Sequence, residues 1–183
     1  MKYPTTFLIL TMILSACYGG GRTEPYTEDS NAVQVERRKD WQQSDRRIQP
    51  GSFAPVILLP TLFPTEKRTT ASLSTTRRII FFWAAWCSDC QEEMPAVIAF
   101  QRSHPEIEWI TVSLDNEADK AKAYIKDKNL QGLHLFDGRD WRGDACTDYA
   151  VPLHGIPYFI LVDTDSRIMA TGGKISELEQ SLY

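Results

Sequence analysis

Long hydrophobic runs and long basic runs are both missing from this 183-residue sequence. The apolar run near the N-terminus covers only residues 7–14, whereas a transmembrane helix needs roughly 20 apolar residues. The basic clusters at residues 37–39 and 46–47 are short and mixed with acidic residues, and the net charge is −4. The sequence therefore predicts neither a membrane-spanning helix nor binding to nucleic acid.

Histidine and cysteine are scarce, and their positions argue against a metal site. The sequence has three His and four Cys, whereas a structural zinc site needs two close pairs of such ligands. Cys87 and Cys90 form one close pair, Cys146 stands alone, and the three histidines are scattered. We therefore expect no metal site and no cofactor.

The close cysteine pair lies in Trp86-Cys87-Ser88-Asp89-Cys90, after a strand-like apolar run and before a helical pattern. A Cys-x-x-Cys between a strand and a helix is typical of a redox site. A thiol at the helix start meets unpaired N–H groups and the helix dipole, which favour a thiolate. The other thiol lies one turn on, close enough to resolve a mixed disulfide. An inert structural disulfide is the alternative.

Hydrophobic periodicity predicts one domain of alternating strands and helices. The predicted strands are Phe53–Leu59, Arg78–Trp83, Ile107–Leu114, Leu133–Phe136, Tyr158–Asp163 and Arg167–Ala170. The predicted helices are Cys87–Ser103, Glu117–Lys128 and Ile175–Leu182, and the inward residues of the second are Ala121, Ala123 and Ile125. Residues 62–76 and 137–147 are predicted loops. This order predicts an α/β fold with a central mixed sheet flanked by helices.

The N-terminus has the pattern of a targeting segment. After Lys2 and the apolar run, Leu14-Ser15-Ala16-Cys17 resembles the lipobox of bacterial lipoproteins. This resemblance implies a signal peptide at residues 1–16 and lipid on Cys17, while an ordinary secretory signal is the alternative. Both imply export. Tyr18 replaces the aspartate that retains many such lipoproteins at the inner membrane, which favours the outer membrane.

The segment at residues 17–50 is polar and charged, without persistent apolar periodicity. It is predicted to be a lipidated N-terminus and flexible tether, and one helical turn near Val33–Trp41 is compatible with the sequence. The folded domain is predicted to cover residues 51–183.

Two carboxylates near the pair are candidates for tuning its chemistry. Asp89 places negative charge beside the thiols, which opposes a thiolate and favours a reductant; alternatively, it points to water with little effect. Glu93 lies three residues after Cys90 on the same helix face, so it could accept a proton from that thiol. The alternative is that Glu93 is a solvated surface residue in the acidic first turn of the helix.

Three motifs together resemble the thioredoxin superfamily: Phe82-Trp83-Ala84-Ala85-Trp86-Cys87-Ser88-Asp89-Cys90, Glu93-Met94-Pro95 and Gly155-Ile156-Pro157. Gly51–Pro55 and the long gap from Cys90 to Pro157 resemble its membrane-anchored TlpA/ResA-type branch. The resemblance covers roughly residues 51–183 and implies the thioredoxin-like fold.

The resemblance also implies a role for each site residue. Cys87 would be the attacking thiol and Cys90 the resolving thiol. Pro157 would be a cis-proline that faces the pair. Ile156 would offer its backbone to a substrate strand, and Trp86 would contact the substrate.

Two departures from the thioredoxin pattern bear on the mechanism. Phe81 stands where thioredoxin itself carries a buried aspartate, which makes Glu93 more important if any carboxylate is used. Asp89 replaces the proline usually found between the cysteines, so the reduction potential does not carry over from relatives.

By resemblance, the expected function is that of an enzyme, a thiol–disulfide oxidoreductase tethered to a membrane of the bacterial envelope and facing the periplasm. It would reduce disulfide-containing envelope proteins, with an upstream membrane thiol as its electron donor. The alternative is a thioredoxin-fold copper chaperone that uses Cys87, Cys90 and His154. Against this, such chaperones carry a motif with a different spacing, Cys-x-x-x-Cys. A peroxidase is disfavoured, because no threonine-containing loop precedes a lone cysteine.

Cys146 and His154 complete the set of candidates. Cys146 is predicted to be a small buried residue, with a third redox thiol or a metal ligand as alternatives. His154 is predicted to be a loop residue near the site, with contact to substrate or metal as the alternative.

Overall fold

Five strands form one mixed β-sheet in the order β3-β2-β1-β4-β5. The computed structural model of the chain describes residues 30–63 and 76–183. The strands are β1 (Arg78–Trp83), β2 (Glu108–Ser113), β3 (Leu133–Phe136), β4 (Tyr158–Val162) and β5 (Ile168–Gly172). The first three run parallel, while β4 is antiparallel to β1 and β5 to β4. The predicted α/β fold with a central mixed sheet is confirmed.

Six helices flank or extend this sheet in the described part of the chain. They are α1 (Ser30–Asp45), α2 (Ser88–Ser103), α3 (Ala118–Lys128), α4 (Asp144–Asp148), α5 (Val151–His154) and α6 (Ser176–Glu179). A 3-10 turn covers Asp140–Arg142. The loop predicted at residues 137–147 is therefore wrong where the 3-10 turn and α4 lie, whereas residues 137–139 are irregular as predicted. Helices this short are stabilised by packing rather than by propensity, which a local sequence pattern does not show.

Strand β1 is central, and aromatic rings connect it with helices on both faces of the sheet. All six of its residues are buried. Because successive strand residues point to opposite faces, Phe82 and Trp83 face different layers. Phe82 packs on Tyr149 at the end of α4, with 5.3 Å between ring centroids, and Trp83 packs on Tyr124 of α3 at 5.2 Å. The carboxyl end of β1 is thus fixed in the core.

The strand predicted at Phe53–Leu59 is absent. Phe53 forms an isolated bridge with Arg167, and the N–H of Ala54 donates to the carbonyl oxygen of Ser166, but no regular strand is present. Pro55 and Pro60 have no N–H groups to donate, so a regular ladder of hydrogen bonds cannot form along this segment.

Helix α3 buries two of its three predicted inward residues. Ala121 and Ile125 are buried, but Ala123 is exposed. The helix turns by about 100° per residue, so a residue two positions after Ala121 lies on the opposite face. The prediction for Ala123 is therefore wrong.

Helix α1 differs from the flexible tether predicted over residues 17–50. It lies against α4 and α5, and its side chains Ser44 and Asp45 take part in that packing: Ser44 is buried, and Asp45 Oδ1 lies 2.8 Å from His154 Nε2. Ile48, just after the helix, belongs to the hydrophobic core. Residues 44–48 therefore pack against the folded body, although they precede the predicted domain start at Gly51. The predicted signal peptide and Cys17 lie outside the described residues.

None of the helices in the described ranges has both the length and the apolar content needed to cross a bilayer.

His134 makes the stability of this fold depend on pH. Its buried ring lies in β3, with Nδ1 2.8 Å from Thr111 Oγ1. Burial lowers the pKa of His134 from 6.5 to about 4. Between those values the unfolded chain binds a proton that the folded chain does not, so stability is lost as the pH falls. We expect this to remove about 3 kcal/mol of unfolding free energy between pH 7 and pH 4.

Urea unfolding of the wild type and of His134→Gln across this pH range measures the effect. The variant should lose distinctly less stability on acidification than the wild type, since its side chain does not titrate. His104→Gln, at a partly exposed histidine, is the matched control and should follow the wild type. A His134→Gln curve parallel to that of the wild type would contradict the prediction.

Candidate active site

Cys87 and Cys90 lie at the junction between β1 and α2, and they form a disulfide. Cys87 is the N-cap of α2, and its Sγ accepts the N–H of Cys90 at 3.1 Å. Cys87 is 7% exposed, whereas Cys90 is fully buried. Cys87 is therefore the sulfur that an incoming substrate can reach.

The loop before β4 lies beside this pair. The Ile156–Pro157 peptide bond is cis, and the carbonyl oxygen of Ile156 lies 3.5 Å from Cys87 Sγ. The chain segments that meet here are far apart in sequence, and pairing of β4 with β1 brings them together. A backbone carbonyl is thus placed next to the accessible sulfur.

An open groove of about 430 Å³ lies over Cys87. Its walls come from the start of α2, from the cis-proline loop and from the 3-10 turn. The lining residues are Trp86, Cys87, Ser88, Asp89, Trp141, Gly155 and Ile156. The groove contains both predicted substrate-contacting residues, Trp86 and Ile156.

The two candidate carboxylates take different positions. Glu93 is partly buried, and its Oε1 accepts the N–H of Ile175 at 2.9 Å. Among the hydrogen bonds of the described residues, none joins Glu93 to Cys90. Asp89 is exposed and accepts from Ser88 Oγ at 3.3 Å, which agrees with the alternative that it points to water.

Sequence reasoning missed Asp115, which holds the loop that leads into the cysteine pair. Its buried carboxylate accepts the N–H of Ala85 at 3.0 Å and the hydroxyl of Ser113 at 2.8 Å. The available signal was its position after a predicted parallel strand, since sites of α/β folds gather at the carboxyl ends of strands. Trp141 was also missed, because it reaches the groove through contacts between segments that are far apart in sequence.

Cys146 and His154 lie outside the exchange site. Cys146 is buried as predicted, and this burial raises the pKa of its thiol to about 12, so it stays protonated at neutral pH. The ring of His154 stacks on Tyr158 at 4.5 Å, and its Nε2 faces Asp45. Within residues 30–63 and 76–183, no three His, Cys, Asp or Glu side chains are grouped closely enough to hold a metal ion.

Comparison with protein families adds to this geometry. The family model described as "AhpC/TSA family" matches residues 50–171, which is more than half of the chain. The chain belongs to the AhpC/TSA family. The match begins close to the predicted domain start and includes the cysteine pair, the groove and the cis-proline loop.

Two curated proteins resemble this member of the AhpC/TSA family. The thiol:disulfide interchange protein HelX of Rhodobacter capsulatus is 28% identical over 133 residues, which cover 70% of this chain and 72% of HelX. The thioredoxin-like protein YneN of Bacillus subtilis is 29% identical over 79 residues, which cover 43% of this chain and 46% of YneN. Both names agree with the resemblance to the TlpA/ResA-type branch.

Solved structures confirm the thioredoxin-like fold. The thioredoxin domain of a thiol-disulfide oxidoreductase from Bacteroides vulgatus has a TM-score of 0.64 at 22% identity, covering 73% of this chain and 95% of that domain. A thiol-disulfide oxidoreductase from Bacteroides fragilis has a TM-score of 0.62 at 20% identity, covering 72% of this chain and all of the other. At these identities the likeness concerns the fold.

Proposed function

We propose that this protein is a thiol–disulfide oxidoreductase that reduces disulfides in exported proteins through Cys87 and Cys90. The observation that carries the proposal is the disulfide at the N-terminus of α2. Its accessible sulfur, Sγ of Cys87, lies in a groove next to the cis-proline loop. The name of HelX, a thiol:disulfide interchange protein, supports the same chemistry.

The first step joins the substrate to Cys87. In the reduced protein, the Cys87 thiolate attacks one sulfur of the substrate disulfide, and the other substrate sulfur leaves as a thiolate. The N–H of Cys90, which points at Cys87 Sγ, and the N-terminal end of α2 favour the negative charge on the attacking sulfur. The product is a mixed disulfide in the groove, within reach of the Ile156 carbonyl.

The second step releases the substrate and oxidises the protein. Cys90 gives up its proton, and its thiolate attacks Cys87, so that the second substrate sulfur leaves as a thiolate. Two electrons have then moved from the protein dithiol to the substrate. An upstream membrane thiol returns them by reducing the Cys87–Cys90 disulfide.

Glu93 is proposed to accept the proton of Cys90, directly or through one water. Its Oε1 accepts the N–H of Ile175. Phe81 stands where thioredoxin carries a buried aspartate, so this second position offers no carboxylate. Glu93→Gln keeps an oxygen that can accept from Ile175 but loses the base. We expect resolution of the mixed disulfide to slow by at least about tenfold at pH 7, with little change in unfolding free energy.

Stopped-flow resolution rates and urea unfolding of Glu93→Gln and Glu93→Ala measure this prediction. Glu93→Ala should lose stability as well as rate, because the N–H of Ile175 then loses its partner. Wild-type resolution rates in Glu93→Gln would show that Glu93 only supports the start of α6.

The proposed setting is the bacterial cell envelope, facing the periplasm. The lipobox-like Leu14-Ser15-Ala16-Cys17 supports cleavage after residue 16, a lipid anchor on Cys17 and, with Tyr18, the outer membrane. Fractionation of cells that express Cys17→Ala checks the anchor: protein that stays with the membranes would contradict it.

Insulin reduction with dithiothreitol as electron donor tests the proposed function. The wild type should accelerate insulin precipitation, and Cys87→Ser should reduce this to the uncatalysed rate. Cys146→Ser is the matched control and should act like the wild type, because that thiol is buried and protonated. Stoichiometric copper binding by the reduced protein without insulin reduction would instead favour the chaperone function.

A further inference from the structure

Two indole rings border the groove over Cys87. Trp86 is 52% exposed, which is unusual for so large an apolar side chain. The ring of Trp141 lies 6.2 Å from it, inclined at 56°, and both line the groove that contains Cys87. The two rings are inclined to each other rather than stacked face to face, and Trp141 is partly exposed as well.

The position of Trp141 is fixed by its own segment. Arg139 contacts the carboxylates of Asp137 and Asp144, the latter at 2.9 Å. These contacts link the residues on either side of the 3-10 turn. Cys146 donates to the carbonyl oxygen of the residue before Trp141 at 3.5 Å. The indole itself packs against the hydrophobic core. Trp141 is therefore a preformed wall of the groove.

We propose that Trp86 and Trp141 together form a binding site for an apolar or aromatic side chain of the substrate, and that Trp141 determines specificity at this site. The proposal rests on the proposed thiol–disulfide exchange. A pair of indoles offers a large contact area with little conformational freedom to lose, and aromatic rings gain further from inclined packing. Substrates with such a side chain near the reacting cysteine would be preferred.

The geometry of an extended peptide specifies where that side chain belongs. A segment that lies along the backbone of Ile156 presents alternate side chains to the same face. When the substrate cysteine points at Cys87, residues two positions away point into the groove as well, about 7 Å along the segment. The preferred side chain is therefore expected two positions from the cysteine.

Single-turnover rates with two synthetic peptide disulfides test the proposal. Each substrate is a short peptide dimer joined by one disulfide, and the two differ only by Phe or Gly two positions from the cysteine. The reduced wild type should react with the Phe peptide about tenfold faster than with the Gly peptide, which corresponds to about 1.4 kcal/mol. Trp141→Ala should bring this ratio close to one, because the Phe peptide loses its contact with the indole and the Gly peptide makes no such contact.

Further variants separate recognition from general damage. Trp141→Phe should keep most of the preference, and Trp41→Ala, the same change in α1 at a residue outside the groove, should keep the wild-type ratio. A wild-type ratio near one, or an unchanged ratio in Trp141→Ala, would overturn the proposal while leaving the exchange function intact. If the wild type reduces neither peptide, the proposed function itself fails.

Discussion

Cys90→Ala is expected to stop turnover and to trap one substrate chain on Cys87 as a stable mixed disulfide. The variant retains the accessible sulfur at the start of α2 but lacks the thiol that attacks it. Resolution is intramolecular in the wild type, and loss of such a step should lower turnover by about 100-fold or more. Non-reducing gel electrophoresis and mass spectrometry measure the adduct, at one substrate chain per protein.

The site of the adduct shows which thiol attacks the substrate. Cys146 remains in the variant, but its thiol is buried and its pKa is raised to about 12, so it has almost no thiolate at pH 7. Peptide mapping should therefore place the substrate on Cys87 alone, and Cys87→Ser/Cys90→Ala should form no adduct. An adduct on Cys146, or none in Cys90→Ala, would contradict the proposed order of attack.

Phe81→Ala is expected to lower the free energy of unfolding by about 3–5 kcal/mol. The side chain is fully buried in β1 and stacks on Phe159 of β4, with 4.5 Å between ring centroids and 9° between planes. It also meets Trp109 of β2 edge-on at 6.4 Å. Removal of the ring leaves a cavity between three strands that the rigid sheet cannot close. Urea unfolding measures the loss.

Phe53→Ala is the matched control for this prediction. Phe53 is 63% exposed and packs on the guanidinium of Arg167 at 4.1 Å, a contact that contributes about 0.5–1 kcal/mol at an exposed site. The control should therefore lose no more than about 1 kcal/mol. Phe81→Leu, which fills most of the space, should retain insulin reduction. A loss in Phe81→Ala as small as that in Phe53→Ala would contradict the packing described for β1.

Local patterns predicted most of the sheet and the start of the site. The apolar run of β1, the helix after Cys87 and the short strand β3 were placed correctly, because periodicity and spacing act within a few residues. The same reasoning failed where packing opposes a local pattern. Phe53–Leu59 reads as a strand but contains Pro55, and residues 137–147 read as a loop although helix α4 packs there.

The polar segment before residue 50 is a further example. Its low apolar content predicted a tether, yet α1 packs on α4 and α5, with buried Ser44 and Ile48 and the contact between Asp45 and His154. A few contacts with elements far along the chain suffice to order a helix whose own sequence shows little amphipathic pattern.

The sequence alone determined the chemistry of this protein: a thiol pair three residues apart at a strand-to-helix junction, where local spacing places both sulfurs on one helical turn. Only the tertiary structure decided what surrounds that pair. It made Cys87 the accessible sulfur, placed the Ile156 carbonyl beside it, and brought Trp141 to the groove. Such neighbours depend on how strands and helices pack over long sequence distances, which no local pattern encodes.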